Sequence, residues 1–288
     1  MDMKWPIGVF ASIDAGLGVR LEVARELGVQ TIHLHTPHAA SRTPQRAAEF
    51  NRRLAELGIT TTCVFAGFEG ESYADIPTVK RTVGLVPMAS RATRLTELKA
   101  IADFANLLNV QAVGVHLGFV PHDSADPDYR AMVELTRGVC AHCERNHQAL
   151  HLETGQEPVD VLIRFLDDVG RDNLFVNFDP ANMILYGAGE PLPALEQLGW
   201  RVHSVHAKDA TWSDRPGETW GRETPLGEGA VDFKAFLETL DRIEYDGPLT
   251  IEREIPQEPE RQKAEIGQAI ALLERLKNER GGGLLAEG

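Results

Sequence analysis

Short runs of β-branched and aromatic residues alternate along this chain with longer stretches whose apolar positions recur at helical spacing. The first short run covers residues 7–10. A helical pattern follows, with Val19, Val23 and Leu27 on one face and Gly28 just past its end. Glycine accepts the left-handed backbone that stops a helix, so Gly28 marks a boundary. The alternation then continues: strand 31–35, helix 43–57 stopped by Gly58, strand 59–65. The segment 66–94 carries Gly67, Gly70, Pro77, Gly84 and Pro87 and reads as a long irregular loop. A loop of that length inside a compact domain is usually functional. Beyond it the pattern predicts helix 95–108, strand 112–116, helix 129–146, strand 149–153, helix 159–169 and strand 174–179. A shorter helix at 191–198 precedes strand 202–206, and a second long loop, 210–229, is rich in Gly, Pro and Trp. Helix 233–243, strand 249–252 and helix 260–278 complete the series.

Strands that alternate with helices imply parallel strands, because a parallel return needs a crossover. Eight such units in about 280 residues predict an α/β fold of the (β/α)8 TIM-barrel type. The competing architecture is an open doubly wound sheet, but no Gly-rich dinucleotide fingerprint follows the first strand. No linker divides the chain, so residues 1–280 are expected to form one barrel domain, with 281–288 as a frayed tail.

The predicted strands five to eight end in Glu153, Asp179, His206 and Glu252. The C-terminal face of a barrel is where active sites sit. Any one of these residues alone would read as a solvated strand-end group. Together, three carboxylates converging on one point would repel one another and resist ionisation, and a divalent cation resolves that conflict. Oxygen ligands with one imidazole suit Mn2+ or Mg2+ first, with Co2+ or Zn2+ as alternatives.

Composition narrows the function classes. With 29 Lys and Arg against 43 Asp and Glu, the net charge is −14, which argues against nucleic acid or an anionic membrane as partner. Three cysteines do not read as a disulfide framework. The first residues lack a signal-peptide core, and no apolar run approaches the ~18 residues of a membrane span. The expected location is the cytoplasm.

Five segments taken together resemble the xylose isomerase-like superfamily, the sugar phosphate isomerase/epimerase group. They are His151-Leu-Glu153-Thr-Gly, Asn177-Phe-Asp179-Pro-Ala-Asn182, Val205-His206-Ala-Lys208-Asp209, Pro225-Leu-Gly-Glu-Gly229 and Thr250-Ile-Glu252-Arg253-Glu254. The resemblance covers nearly the whole chain and is specific to the superfamily, not to one activity. It implies that Glu153, Asp179, His206 and Glu252 hold one divalent cation, and that Glu153 and Glu252 are the catalytic pair moving protons on the two faces of a sugar. The implied chemistry is removal of a proton next to a sugar carbonyl, with the cation stabilising the enediolate that forms. Returning the proton to the opposite face epimerises, and returning it to the neighbouring carbon isomerises. Loss of a β substituent makes a lyase, acting on a 3-keto-glycoside, a keto-sugar or an inosose. A non-catalytic sugar-binding barrel is the reading from another class, against which the retention of both glutamates argues. Barrels of that group often associate, so a homo-oligomer is left open.

Two departures qualify the resemblance. Asn182 stands where many relatives carry a histidine, which with the acidic balance argues against a DNA-repair role. Trp212 stands where ketose 3-epimerases carry a substrate-gripping arginine, and Arg215 and Arg222 lie further along that loop.

Further residues are candidates for binding substrate: His35 and His116 at strand ends, Glu157, Asn182, Lys208, Trp212 and Arg215. His33 shares a face with His35. Trp212 and Trp220 could stack on a sugar or aglycone, with Tyr73 on the 66–94 loop as the opposite wall. Glu254 could orient a ligand from behind. Cys140, His142, Cys143 and His147 have a metal-like look but share one predicted helix and read as helix residues. Gly227 and Gly229 lie where many barrels bind phosphate. Glu228 between them, and the lack of an adjoining cation, favour an unphosphorylated carbohydrate.

Overall fold

A computed structural model describes residues 4–14 and 16–283. Eight parallel strands form its centre: β1 (Ile7–Ser12), β2 (Thr31–His35), β3 (Thr60–Ala66), β4 (Ala112–Val115), β5 (Ala149–Glu153), β6 (Leu174–Phe178), β7 (Val202–Ala207) and β8 (Leu249–Ile251). Each pairs with the next in chain order, and β1 pairs with β8 through Ile7 opposite Leu249, so the sheet closes. This is the (β/α)8 barrel that the alternation predicts.

Among the described residues ten α-helices surround it: α1 (Leu21–Glu26), α2 (Pro44–Leu57), α3 (Ile76–Thr82), α4 (Met88–Leu107), α5 (Pro127–Arg145), α6 (Val159–Val169), α7 (Pro180–Tyr186), α8 (Pro191–Leu198), α9 (Phe233–Arg242) and α10 (Pro259–Gly283). Short side chains cap several starts. Thr43 accepts from Arg46 N–H at α2, Asp75 from Thr78 N–H at α3, and Asp232 from Ala235 N–H at α9. Helix–strand packing buries one continuous core, including Ile32, Leu98, Leu150, Val176, Val205 and Phe236.

The structure departs from the sequence reading in the connections. The 66–94 segment is not irregular throughout: it holds α3, and α4 begins at Met88. Pro77 falls in the first turn of α3, where a missing N–H costs nothing, so the proline that reads as a breaker is a helix start. α7 went unread because its seven residues are all buried and show no amphipathic period. The 210–229 loop is anchored by a hairpin pairing Asp209–Thr211 with Arg222–Thr224. α10 runs to Gly283, three residues into the segment expected to fray, and 284–288 lie outside the described residues. No described helix is long and apolar enough to cross a membrane.

Candidate active site

Glu153 closes β5, Asp179 follows β6, His206 lies on β7 and Glu252 follows β8. Because β5 to β8 are adjacent, strand pairing alone brings these four to one end of the barrel. Each offers one ligand atom, and the four atoms lie within 4.8 Å of one another. His206 Nδ1 stands 2.6 Å from Glu153 Oε1 and 3.1 Å from Glu252 Oε2. Asp179 has a double position. Its Oδ1 caps α7 by accepting from the Asn182 N–H at 2.9 Å, while its Oδ2 is buried with no hydrogen-bond partner. A buried carboxylate oxygen without a partner is costly. A divalent cation at the convergence point removes that cost, and the three-oxygen, one-nitrogen donor set fits such an ion.

The electrostatics follow from burial and pairing. Burial pushes the Asp179 carboxyl well above its usual range. Burial opposes ionisation of Glu153 too, but the facing imidazoles of His116 and His206 outweigh it and hold this carboxyl low. For Glu252, burial is likewise outweighed, here by Lys208 and His206. Burial would neutralise His206, yet the two glutamates raise its imidazole to about 10. A cation held by these residues would supply positive charge in place of that proton. His206 Nε2 meets His33 Nδ1 at 2.9 Å, and the His33 ring stacks on Phe65. Burial first, then His206, hold His33 neutral, so it can fix the orientation of His206 from behind.

Above the cluster is a cavity of about 330 Å³. Glu153, Glu252, His116 and His35 line its polar side; Phe10, Leu17, Phe65, Tyr73 and Ile255 line its apolar side. Phe65 fits because Gly114 on the next strand leaves room: a Cβ there would fall 2.4 Å from the ring. His116 Nε2 sits 2.8 Å from Glu153 Oε2, and its Nδ1 3.1 Å from the Gln156 amide nitrogen. Burial lowers His35 to about 4, which keeps it neutral, and its buried Nδ1 has no partner. Lys208, almost wholly buried, donates to Glu252 at 3.4 Å and to Glu254 at 2.6 Å. Burial would discharge this ammonium, but the two glutamates keep it charged.

The other sequence-selected residues stand elsewhere. Glu157 is buried behind the cavity, accepts the Val120 N–H at 2.8 Å, and burial raises its carboxyl to about 8. Asn182 is buried in the first turn of α7, outside the cavity lining. Trp212 and Arg215 are not brought to this cavity at all; they line a separate surface hollow with Trp220 and Arg222. The hairpin carries that loop outward, Trp220 packs edge-on to Tyr186, and exposed Arg215 pairs with Glu218 at 3.2 Å. Of the expected opposite wall, Tyr73 does line the cavity, beside Glu71. His33, Phe10, Phe65 and Glu71 were not read as site residues. For His33 a signal existed in its shared face with His35, whereas Glu71 sits in a loop without periodicity.

The phosphate-type loop is filled from within. Asp209 Oδ2 accepts the N–H groups of Gly227 and Gly229, each at 2.9 Å, and Oδ1 accepts those of Ala210 and Val231. A Cβ at Gly229 would lie 2.1 Å from Asp209 Oδ1, so this close approach requires glycine. The chain's own carboxylate thus takes the donors that a phosphate would use.

The chain belongs to the family described as xylose isomerase-like TIM barrel, whose model matches residues 21–276. It is 51% identical to a xylose isomerase domain protein from Planctomyces limnophilus, over 96% of this chain and 98% of that one, with a TM-score of 0.94. It is similar to an inosose dehydratase from Clostridium beijerinckii, 24% identical over 115 residues, which cover 36% of this chain and 38% of that protein. It is also similar to an L-ribulose 3-epimerase from Methylomonas sp. (strain DH-1), 34% identical over 90 residues, 31% of this chain and 27% of that protein. The chain therefore matches these two curated relatives over 38% of their length at most.

Proposed function

We propose that this protein is a divalent-metal-dependent sugar isomerase or epimerase that works by removing a proton next to a carbonyl. One observation carries the reading. Of the four clustered residues, Glu153 and Glu252 line the cavity, while Asp179 and His206 are fully buried behind it. Two of the three carboxylates that can hold an ion are therefore also placed to reach a substrate carbon.

Glu153, Asp179, His206 and Glu252 would hold the ion, Mn2+ or Mg2+ by donor type. Bound there, a divalent cation supplies the positive charge that makes a proton next to a sugar carbonyl acidic enough to remove. The chain's own residues do the rest. Lys208 keeps Glu252 ionised, and His116 does the same for Glu153, so either carboxylate can accept a proton at neutral pH. His35, neutral and in the cavity lining, can accept or donate a hydrogen bond to a substrate hydroxyl. The apolar side excludes water from the reacting carbon.

A second reading is a lyase, in which the same proton removal is followed by departure of a β substituent. The apolar rim, which a small polar ketose does not need, supports it. Incubation of metal-loaded protein in deuterated water with free ketoses and with 3-keto-glycosides tests both. Label without fragmentation supports the isomerase or epimerase, release of the aglycone supports the lyase, and neither outcome leaves a sugar-binding barrel. A Glu252→Gln variant is expected to lose about 10²–10⁴-fold in rate; full turnover by that variant refutes proton transfer by Glu252.

A further inference from the structure

The cavity is lined by groups of both kinds: Glu153, Phe10 and Phe65 are buried, and Leu17, Tyr73 and Glu254 are exposed at its opening. Among the described residues five large apolar side chains are conspicuously exposed, and two of them, Leu17 at 49% and Tyr73 at 41%, stand at this mouth. They come from loops after β1 and β3, far apart in sequence, and Ile255 from the loop after β8 joins them. Apolar side chains gathered at one opening, with polar groups beneath, mark a ligand surface rather than scattered surface residues.

The arginine in the cavity lining and the buried cations beside it are engaged. Arg253 donates to Glu223 at 2.6 Å and to Glu265 at 2.9 Å. Lys208 is held by Glu252 and Glu254. Arg94 spends its guanidinium on the carbonyls of Glu69, Thr82 and Gly84. The carboxylates of Glu71 and Glu254 also line the cavity and would repel an anionic substituent. Neither Trp212 nor Arg215 reaches it.

We propose that the substrate is an uncharged keto-sugar bearing an apolar substituent, which rests against Leu17, Tyr73 and Ile255 while the sugar sits over Glu153 and Glu252. This deepens the proton-abstraction reading and rests on it.

The test compares three compounds with metal-loaded protein: methyl 3-keto-glucoside, its hexyl counterpart and the 6-phosphate of the methyl compound. Methoxide and hexoxide leave with similar ease, so the comparison reports binding and not leaving-group quality. The reaction is followed in deuterated water as total loss of the C2 proton, whether the product is labelled or fragmented. The hexyl compound is expected to exceed the methyl one in kcat/KM by about tenfold or more, and the phosphate to fall below it by a similar factor. Leu17→Ser and Ile255→Ser, both at the partly solvated mouth, are expected to raise KM for the hexyl compound several-fold more than for the methyl one; an equal effect on both overturns the placement of the substituent. Equal rates for methyl and hexyl, or preference for the phosphate, overturn the apolar-substituent inference and leave proton abstraction standing. Loss of no C2 proton from any of the three, while label still enters a free ketose, overturns the substrate inference alone; no label in either overturns proton abstraction at this site as well.

Discussion

Arg94 is buried, yet no carboxylate pairs with it. It rises from α4 to donate to Thr82 O at 2.6 Å, Gly84 O at 2.8 Å and Glu69 O at 3.2 Å, with its guanidinium over the Phe68 ring. From the other side, Glu71 accepts the N–H groups of Phe68 and Gly84 at 3.0 and 2.7 Å. Together they hold the 67–86 segment, which carries Tyr73 and Glu71 to the cavity. Arg94→Met keeps most of the side-chain volume and removes all three donors. Each hydrogen bond from a charged donor contributes about 1.5–3 kcal/mol. The freed carbonyls regain water when the segment opens, so the net loss is about 3 kcal/mol rather than the sum. That corresponds to a roughly 100-fold rise in the opening equilibrium. Hydrogen exchange read by mass spectrometry should show protection in 67–86 falling by about that factor while β5 to β8 keep theirs. Unchanged exchange in 67–86 would refute the claim that Arg94 secures the segment. An equal loss in segment and barrel would show that Arg94 supports the core instead.

Three further outcomes follow from the same structure. Adding Mn2+ to chelator-treated protein at about 100 times its dissociation constant should stabilise the fold by about 2.7 kcal/mol, raising Tm by roughly 5–10 °C; no shift in calorimetry would argue against the cluster as an ion site. His33→Phe should weaken Mn2+ binding about 10- to 100-fold by releasing His206, read by titration calorimetry, and His33→Gln should recover part of that loss. Because burial raises Glu157 to about 8 from 4.5, the folded protein keeps a proton that the unfolded chain has released. The associated stability is full below about pH 4.5 and is lost as pH rises to about 8, at up to about 1.4 kcal/mol per unit. Denaturation between pH 5.5 and 8.5 should therefore show a shallower decline for Glu157→Gln than for the unaltered protein.

Much of the architecture is legible in the chain. β2 and β5, and helices α6 and α8, fall at the bounds that periodicity predicts, because the two strands are short runs buried on both faces and the two helices bury one face and stop at Gly170 and Gly199. The ligand set is legible for a related reason. In a barrel of parallel strands, equivalent strand ends arrive at the same face, so polar residues repeated at those ends must converge. What periodicity cannot reach is a helix as short as α7 or α3: the seven residues of α7 are buried on every side, and the seven of α3 lie among the glycines and prolines of a long connection.

The sequence by itself determined the number of units, their parallel order and the four residues that meet at one end. Only the tertiary structure decided which of those four face a substrate and which lie behind. It also assigned partners: His33 to His206, Lys208 to Glu252, and Asp209 to a loop that otherwise looks built for phosphate. It took Trp212 and Arg215 away from the cavity and placed Leu17, Phe65 and Ile255 there instead. The physical reason is the same in each case. Strand and helix periods are local, set by which face of an element meets the core. Loop direction and side-chain pairing depend on contacts between segments tens or hundreds of residues apart.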